Sequence, residues 1–212
     1  MVKRIIFDLD NTLIIWKEEF LNTLNETLEQ LNIDYNDCIL TNLKKAISIY
    51  ETKYDIYKEE YLLELFKKQT NIDLPNNFVE IWKNKLKKCI SLDYNKETID
   101  TLEYLYKKYD LVVLTNWFTD QQSSRLENAN ILKYFKEVIG TDKVLNKPNK
   151  EAFMYACQNY LPDECIMIGD NLDIDIIGAK NAGLKTILID YKNKYPEYQN
   201  KITNISELKE ML

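Results

Sequence analysis

The sequence predicts an α/β fold, in which helices cover both faces of a mostly parallel sheet and an all-helical segment is inserted after the first strand. Short apolar runs that end in polar residues recur along the chain, and amphipathic helical patterns separate them. Residues 16–89 contain no glycine and no convincing strand pattern. Strands that alternate with helices need crossover connections, which favour parallel pairing and a sheet covered on both faces.

The first predicted strand is the apolar run from Ile5 to Phe7, in which no polar residue alternates with the apolar ones. The inserted segment shows a helical repeat of apolar residues four times, and therefore predicts a bundle of about four helices, over 16–31, 37–50, 57–66 and 77–89. Four tyrosines of this segment lie at helical spacing, and we interpret them as core or interface residues: Tyr50, Tyr54, Tyr57 and Tyr61.

After residue 93 the two kinds of pattern alternate. Strands are predicted at 110–116, 136–140, 164–170 and 185–189, and helices at 96–108, around 125–126, and at 150–160, 174–182 and 204–212. Gly183 is a typical helix C-cap after the fourth of these helices. We therefore predict an α/β core formed by residues 1–15 and 94–212, and a helical domain formed by residues 16–93.

The composition excludes several functions. The formal net charge of −6 provides no basic field that would attract nucleic acid or an anionic membrane, and Arg4 and Arg125 are the only arginines. The sequence contains no apolar run long enough to span a bilayer and no secretory signal, and its scattered cysteines favour reduced, packed thiols. We therefore expect a cytoplasmic protein.

The 212 residues include no histidine. This excludes Ser-His-Asp triads, Cys-His dyads, phosphohistidine intermediates and the usual zinc sites. Catalysis by this chain would depend on carboxylates, lysine, hydroxyl groups and hard metal ions.

Polar residues follow the predicted strands at several separate positions. The carboxyl ends of parallel strands share one edge of a sheet, so these side chains can converge there: Asp8, Asp10, Thr115, Asn116, Lys147, Asp170 and Asp175. Each one alone has an ordinary explanation as a turn, a strand end, a surface lysine or a helix cap. Two neighbouring carboxylates also repel each other, and need a nearby cation or a shared proton. These ordinary explanations do not account for the occurrence of all these polar residues together in one chain.

In these residues the chain resembles the hydrolases of the haloacid dehalogenase superfamily. The four family motifs are matched, in order, by Asp8-Leu9-Asp10-Asn11-Thr12, by Thr115, by Lys147, and by Gly169-Asp170 with Asp175. The inserted helices lie between the first two motifs, where the family carries a helical cap. The resemblance covers essentially the whole chain and implies a Rossmann-like parallel-sheet core with this cap. Asp10 favours the phosphatase branch, because true dehalogenases of the family lack an acid at this position.

The resemblance also implies roles for individual residues. Asp8 would attack phosphorus and form an aspartyl phosphate, while Asp10 would first protonate the departing oxygen and then activate water. Lys147 would offset negative charge, and Thr115 with the backbone amide of Asn116 would hold the phosphoryl oxygens.

The implied cofactor is Mg²⁺, held by the Asp8 carboxylate, the Asp10 backbone carbonyl and Asp170, with Asp175 ordering or completing the shell. Trp117 stands where many relatives carry a small residue, which predicts an altered entrance to the phosphate pocket and a substrate contact. The expected activity is hydrolysis of a small, soluble phosphomonoester, with a faint similarity to nucleotidases. A phosphosugar mutase using the same aspartates, and a phospho-acceptor or binding module without turnover, are the alternatives.

Overall fold

The computed structural model describes residues 1–89 and 96–212, and within these ranges six strands form one sheet. The strands are β1 (Arg4–Phe7), β2 (Asp110–Leu114), β3 (Glu137–Ile139), β4 (Cys165–Gly169), β5 (Lys185–Ile189) and β6 (Lys201–Ile202). They are arranged in the order β3-β2-β1-β4-β5-β6, and every neighbouring pair is parallel. This order confirms the predicted Rossmann-like sheet. The two-residue strand β6 was not predicted, because so short a run shows no pattern.

Helices cover both faces of this sheet: α5 (Lys96–Tyr106), α6 (Thr119–Asn128), α7 (Lys150–Cys157), α8 (Gly178–Asn181) and α9 (Leu208–Met211). Side chains alternate along β1, so Ile5 and Phe7 enter the hydrophobic core on one face, and Ile6 enters the core on the other. Burial of the central strand on both faces explains its uninterrupted apolar sequence.

The inserted segment contains the four predicted helices, α1 (Thr23–Gln30), α2 (Asp37–Lys53), α3 (Glu59–Thr70) and α4 (Phe78–Leu86). The prediction of one helix from residue 16 to residue 31 is wrong at its start, because a 3-10 turn over Glu18–Asn22 precedes α1. The Thr23 hydroxyl donates a hydrogen bond to the Phe20 carbonyl oxygen at 2.6 Å and accepts one from Trp82 Nε1 at 2.8 Å. These contacts fix the 3-10 turn and α1 against α4.

The tyrosine pattern is shared by two helices. Tyr50 lies in α2 and Tyr61 in α3, while Tyr54 and Tyr57 lie in the connection between the two helices. The rings nevertheless pack together, with centroids 4.4 Å apart for Tyr50 and Tyr57 and 5.1 Å apart for Tyr50 and Tyr54. Tyr50 and Tyr57 are buried, as expected for core residues.

The inserted helices have a hydrophobic core of their own, whose largest buried side chains include Tyr50, Phe66, Phe78 and Trp82. Phe118, which directly precedes α6, belongs to the same core and is 3% exposed. The division into residues 1–15, 16–93 and 94–212 stays a prediction, and its second boundary lies outside the described residues.

The parallel sheet brings four strand ends to one edge. Asp8 follows β1, Thr115 follows β2, Gly140 follows β3 and Asp170 follows β4. In the described ranges, no helix is both long and apolar enough to cross a membrane. Cys157, in α7, and Cys165, in β4, are free thiols buried in the hydrophobic core on the Ile6 face of the sheet.

Candidate active site

The loop after β1 places two carboxylates at the carboxyl edge of the sheet. The Leu9 carbonyl oxygen accepts hydrogen bonds from the backbone amides of Leu13 and Ile14, at 2.9 and 3.0 Å, which closes a tight turn. Asn11 adopts a left-handed backbone with φ of 61°, a conformation that asparagine tolerates better than most residues. The turn leaves Asp8 and Asp10 lining one cavity of about 410 Å³.

Lys147 lies at the floor of this cavity and bridges two carboxylates. Its Nζ is 2.7 Å from Asp8 Oδ1 and 2.7 Å from Asp175 Oδ1. Burial lowers the pKa of Lys147, but the charges and hydrogen bonds of Asp175 and Asp8 outweigh it and raise that pKa above its ordinary value. The other oxygen of Asp8, Oδ2, accepts a hydrogen bond from the Thr12 hydroxyl at 3.1 Å. Lys147 is therefore a charged, immobile group beside Asp8.

Three carboxylates meet at this point. Oxygen atoms of Asp8, Asp170 and Asp175 all lie within 4.8 Å of one another. Burial raises the pKa of Asp8, and Lys147 opposes the shift while the charge of Asp175 adds to it. Burial, followed by the charge of Asp175, raises the pKa of Asp170 to about 6. Three carboxylates with one ammonium group leave an excess of negative charge, and the all-oxygen donor set fits a small hard cation such as Mg²⁺.

Gly169 makes room for Asp175. A Cβ atom at position 169 would lie 2.4 Å from Asp175 Oδ2, so a side chain here would displace the carboxylate. Asp175 lies in a π-helical turn over Leu172–Ile177, and its Oδ2 accepts a hydrogen bond from the Asn171 amide at 3.1 Å. Asp173 lies on the exposed side of this turn.

Asn116 connects two loops of the site. Its Nδ2 donates to the Lys147 carbonyl oxygen, and its Oδ1 accepts from the Lys147 amide, both at 2.8 Å. The Lys147-Pro148 peptide bond is cis. Thr115 is buried, and its hydroxyl oxygen accepts a hydrogen bond from Gln122 Nε2 at 2.9 Å. The Asn116 side chain thus has a structural task, which leaves its backbone amide for the predicted phosphate contact.

Trp117 belongs to the cavity wall and also packs against the inserted helices. Its ring centroid lies 5.8 Å from that of Tyr57 and 6.0 Å from that of Trp82, both edge-on. The wall formed by the inserted helices also includes Ile47 and Glu51. Glu51 is exposed at the cavity, yet desolvation, followed by the charge of Asp10, raises its pKa to about 7.

Sequence reasoning missed the residues that contact Asp10. Arg125 Nη1 lies 2.7 Å from Asp10 Oδ1, and Gln122 Nε2 donates to Asp10 Oδ2 at 2.9 Å. The sequence predicts no role for Thr12 or for Glu51 either. The rarity of arginine in this chain was the one available signal for Arg125, because no motif includes it.

The structure brings all eight predicted site residues to the same cavity: Asp8, Asp10, Thr115, Asn116, Trp117, Lys147, Asp170 and Asp175. Their individual roles stay predictions.

Solved structures show the same fold over the whole chain. The HAD-hydrolase YfnB from Bacillus subtilis, in a structure bound to magnesium, has a TM-score of 0.75 and 20% sequence identity, covering 100% of this chain and 98% of that one. A HAD phosphatase from Thermococcus onnurineus has a TM-score of 0.68 and 24% identity, covering 99% and 97%. The L-2-haloacid dehalogenase from Xanthobacter autotrophicus has a TM-score of 0.67 and 14% identity, covering 100% and 98%.

Curated relatives match over shorter segments. The glyceraldehyde 3-phosphate phosphatase of Pyrococcus furiosus is 39% identical over 77 residues, which cover 32% of this chain and 32% of the relative. The human N-acylneuraminate-9-phosphatase is 39% identical over 56 residues, covering 26% and 23%. The chain therefore spans a third or less of the length of these relatives. The model of the haloacid dehalogenase-like hydrolases matches residues 5–189, and this protein belongs to that family.

Proposed function

We propose that this protein is a magnesium-dependent phosphatase that hydrolyses a small phosphomonoester through an aspartyl phosphate on Asp8. One observation carries the proposal. Asp8 is fixed by Lys147 and Thr12, while Asp10 lines the same cavity and takes no part in that network. The cavity thus offers a nucleophile beside a fixed positive charge, and a separate carboxyl group for proton transfer. The phosphatase names of the curated relatives support the same activity.

In the first half of the reaction, an oxygen of Asp8 forms a bond to phosphorus while the ester P–O bond breaks. Asp10 gives its proton to the departing oxygen, so that an alcohol leaves. The ammonium group of Lys147, the hydroxyl group of Thr115 and the backbone amide of Asn116 stabilise the charge on the phosphoryl oxygens. In the second half, Asp10 takes a proton from water as the water attacks phosphorus, and Asp8 is released with inorganic phosphate.

The residues that would hold Mg²⁺ are the carboxylates of Asp8 and Asp170 and the backbone carbonyl of Asp10, with Asp175 beside them. The fit rests on the three converging carboxylates and on their excess of negative charge. When bound, Mg²⁺ supplies the positive charge that lets a phosphate dianion approach these carboxylates.

The substrate is a small molecule on this proposal, because the cavity measures about 410 Å³. The part lined by the inserted segment is mostly apolar, with Trp16, Ile47 and Trp82 on its wall. A nucleotide is one fitting substrate, since its base can pack on Trp117. A sugar phosphate is another, since two curated relatives that match over short segments are named for phosphorylated carbohydrates.

The test is phosphate release from a panel of nucleotides, sugar phosphates and acyl phosphates in the presence of Mg²⁺. Asp8→Asn should lower turnover by at least about a hundredfold, because the amide conserves the shape but is no nucleophile. Asp173→Asn is the matched control, since it makes the same change at an exposed carboxylate of the last motif.

Residual Asp8→Asn activity above a tenth of the parent's would contradict the covalent mechanism. A hexose 1-phosphate that is converted to its isomer without phosphate release would identify the mutase instead. A parent protein that takes up phosphate but never releases it would identify a phospho-acceptor.

A further inference from the structure

We propose that Arg125 is a positioning residue for Asp10. Arg125 orients the Asp10 carboxyl group so that Oδ2 meets the departing ester oxygen, and it links this orientation to the start of the inserted helices. The inference rests on the proposed function, because it assigns a partner to the acid of that reaction.

The Asp10 carboxyl is held from two sides by α6. Arg125 Nη1 lies 2.7 Å from Asp10 Oδ1 and donates a hydrogen bond to Gln122 Oε1 at 2.7 Å. Gln122 Nε2 donates to Asp10 Oδ2 at 2.9 Å and to the Thr115 hydroxyl oxygen at 2.9 Å. Arg125 and Gln122 are almost fully buried, with 2% and 0% of their surface exposed. Asp10, Gln122 and Arg125 therefore form a closed and rigid ring of contacts, which joins the proposed acid to the proposed phosphate pocket.

The two oxygens of Asp10 are in different situations. Oδ1 is buried and accepts no hydrogen bond among the described residues, so its 2.7 Å contact with Arg125 Nη1 is a contact between charges. The Asp10 side chain is 30% exposed, and Oδ2 accepts a single hydrogen bond in the described part of the chain. A carboxylate oxygen has a second lone pair, so Oδ2 can still exchange a proton on the cavity side. Gln122 fixes the direction in which that lone pair points.

Arg125 also contacts the beginning of the inserted segment. Its guanidinium carbon lies 5.6 Å from the Trp16 ring centroid and 5.3 Å from that of Phe20, within the range of cation–π attraction. The two rings pack edge-on to each other, with centroids 4.9 Å apart. A displacement of residues 16–20 would therefore move the guanidinium and, through it, the Asp10 carboxyl.

A purely structural role does not explain Arg125 well. Its Nε and Nη2 are buried and have no hydrogen-bond partner among the described residues. Leaving buried donors of a charged group unsatisfied costs free energy that an apolar side chain of similar size would not cost. The cost is understandable if the positive charge is needed at this position, beside Asp10.

Arg4 provides a matched control, because it is the other arginine of the chain and is also buried, with 3% exposed. It pairs with Asp110 at 3.7 Å and lies over the Tyr160 ring at 4.9 Å, so it too combines an ion pair with an aromatic contact. It begins β1, at the sheet edge opposite the site. Arg4→Met and Arg125→Met thus remove similar buried groups, one at the start of β1 and the other in α6 beside the candidate site.

The experiment compares two esters that need different amounts of help from an acid. Nitrophenolate leaves readily without a proton, whereas phenolate is more basic and gains more from protonation. The value of kcat/KM reports the steps up to formation of the aspartyl phosphate, in which the ester bond breaks. Arg125→Met should lower kcat/KM for phenyl phosphate by about a hundredfold, because a misplaced acid loses most of its effect. For 4-nitrophenyl phosphate the loss should be less than about tenfold, because this leaving group needs little help from an acid.

Two further measurements separate positioning from folding. Arg4→Met should change both substrates by the same small factor. In an Asp10→Asn background, Arg125→Met should cause no further loss of kcat/KM for phenyl phosphate, because residues that act as a unit are not additive. If Arg125→Met does not fold, Arg125→Lys, which keeps the charge, should show the same preference for the nitrophenyl ester with a smaller loss.

Equal losses on both esters, an increase in kcat/KM for phenyl phosphate, or an additive effect in the Asp10→Asn background would each overturn the inference. A parent protein that hydrolyses neither ester nor any member of the phosphate panel would refute the proposed function itself.

Discussion

Replacement of Lys147 by methionine should destabilise the metal-free protein far more than the same change at Lys83. Both lysines are buried and each bridges two carboxylates, since Lys83 Nζ lies 2.5 Å from Glu59 and 3.0 Å from Asp120. They differ in their partners. The side chains of Asp8 and Asp175 are 11% and 2% exposed, whereas those of Glu59 and Asp120 are 41% and 53% exposed.

The exposure of the partner carboxylates determines how much free energy of unfolding each substitution costs. Removal of one partner from a buried ion pair costs about 3–5 kcal/mol, because the remaining charges cannot be solvated. Loss of a pair with an exposed partner costs about 0–1 kcal/mol, because water replaces the lysine. For a chain of this length, 1 kcal/mol corresponds to about 2–4 °C in Tm. Lys147→Met should therefore lower Tm by about 10 °C, and Lys83→Met by about 3–5 °C for its two exposed pairs.

The assay is thermal unfolding followed by circular dichroism in the presence of EDTA, at several pH values. Burial raises the pKa of Asp8, and raises that of Asp170 from 3.8 to about 6. A carboxyl whose pKa is raised by folding contributes stability that is fully present below its ordinary pKa and is lost as the pH rises through the folded value. Removal of the lysine increases this effect, so the Lys147→Met deficit should be largest above pH 6 and should narrow toward about pH 4. Equal losses of Tm for the two variants at pH 8, or a Lys147→Met deficit that grows on acidification, would refute the reasoning.

Three further substitutions test the cavity. Asp170→Ala should raise the Mg²⁺ concentration for half-maximal rate by more than about tenfold, and an unchanged dependence in a magnesium titration would contradict its role as ligand. Trp117→Gly should raise KM for the preferred substrate while acetyl phosphate is nearly unaffected, and a fall in Tm with equal losses on both substrates would assign Trp117 to packing alone. Glu51→Gln should lower KM for a phosphate ester about threefold at pH 8, because it removes a negative charge from the cavity. It should have no effect below pH 6, where a carboxyl with a pKa of about 7 is already neutral. An effect of equal size at both pH values would contradict this assignment.

The strand ends could be predicted from the sequence because each depends on local pattern. An apolar run that stops at Asp8, Thr115 or Asp170 marks both the end of a buried strand and the edge at which its polar residue appears. Parallel pairing then brings these positions together without any knowledge of individual contacts. The same reasoning explains why β6 was missed, since Lys201 and Ile202 form a strand only because β5 lies beside them.

The surroundings of Asp10 could not be predicted in this way. Gln122 and Arg125 lie more than a hundred residues away in the sequence, and their contact with Asp10 depends on how α6 crosses the loop after β1. The packing of the tyrosines could not be predicted in detail for a related reason. The turn between α2 and α3 folds the chain back and places Tyr57 against Tyr50, a contact between rings that their spacing in the sequence does not specify.

The position of Phe118 bears on how the inserted helices could be exchanged between relatives. Its ring stacks at 6.4 Å on Tyr50 and lies 4.2 Å beneath the Lys83 ammonium group, although its backbone follows the proposed phosphate loop. The segment of residues 16–93 is therefore incomplete as a transplantable unit, because part of its interior is encoded elsewhere in the gene. Excision would leave Phe118 and Trp117 as a bare aromatic surface beside the catalytic edge, which favours self-association. A chimaera with foreign helices has to exchange residues 117–118 together with them, so a change of helices would alter the proposed phosphate loop at the same time.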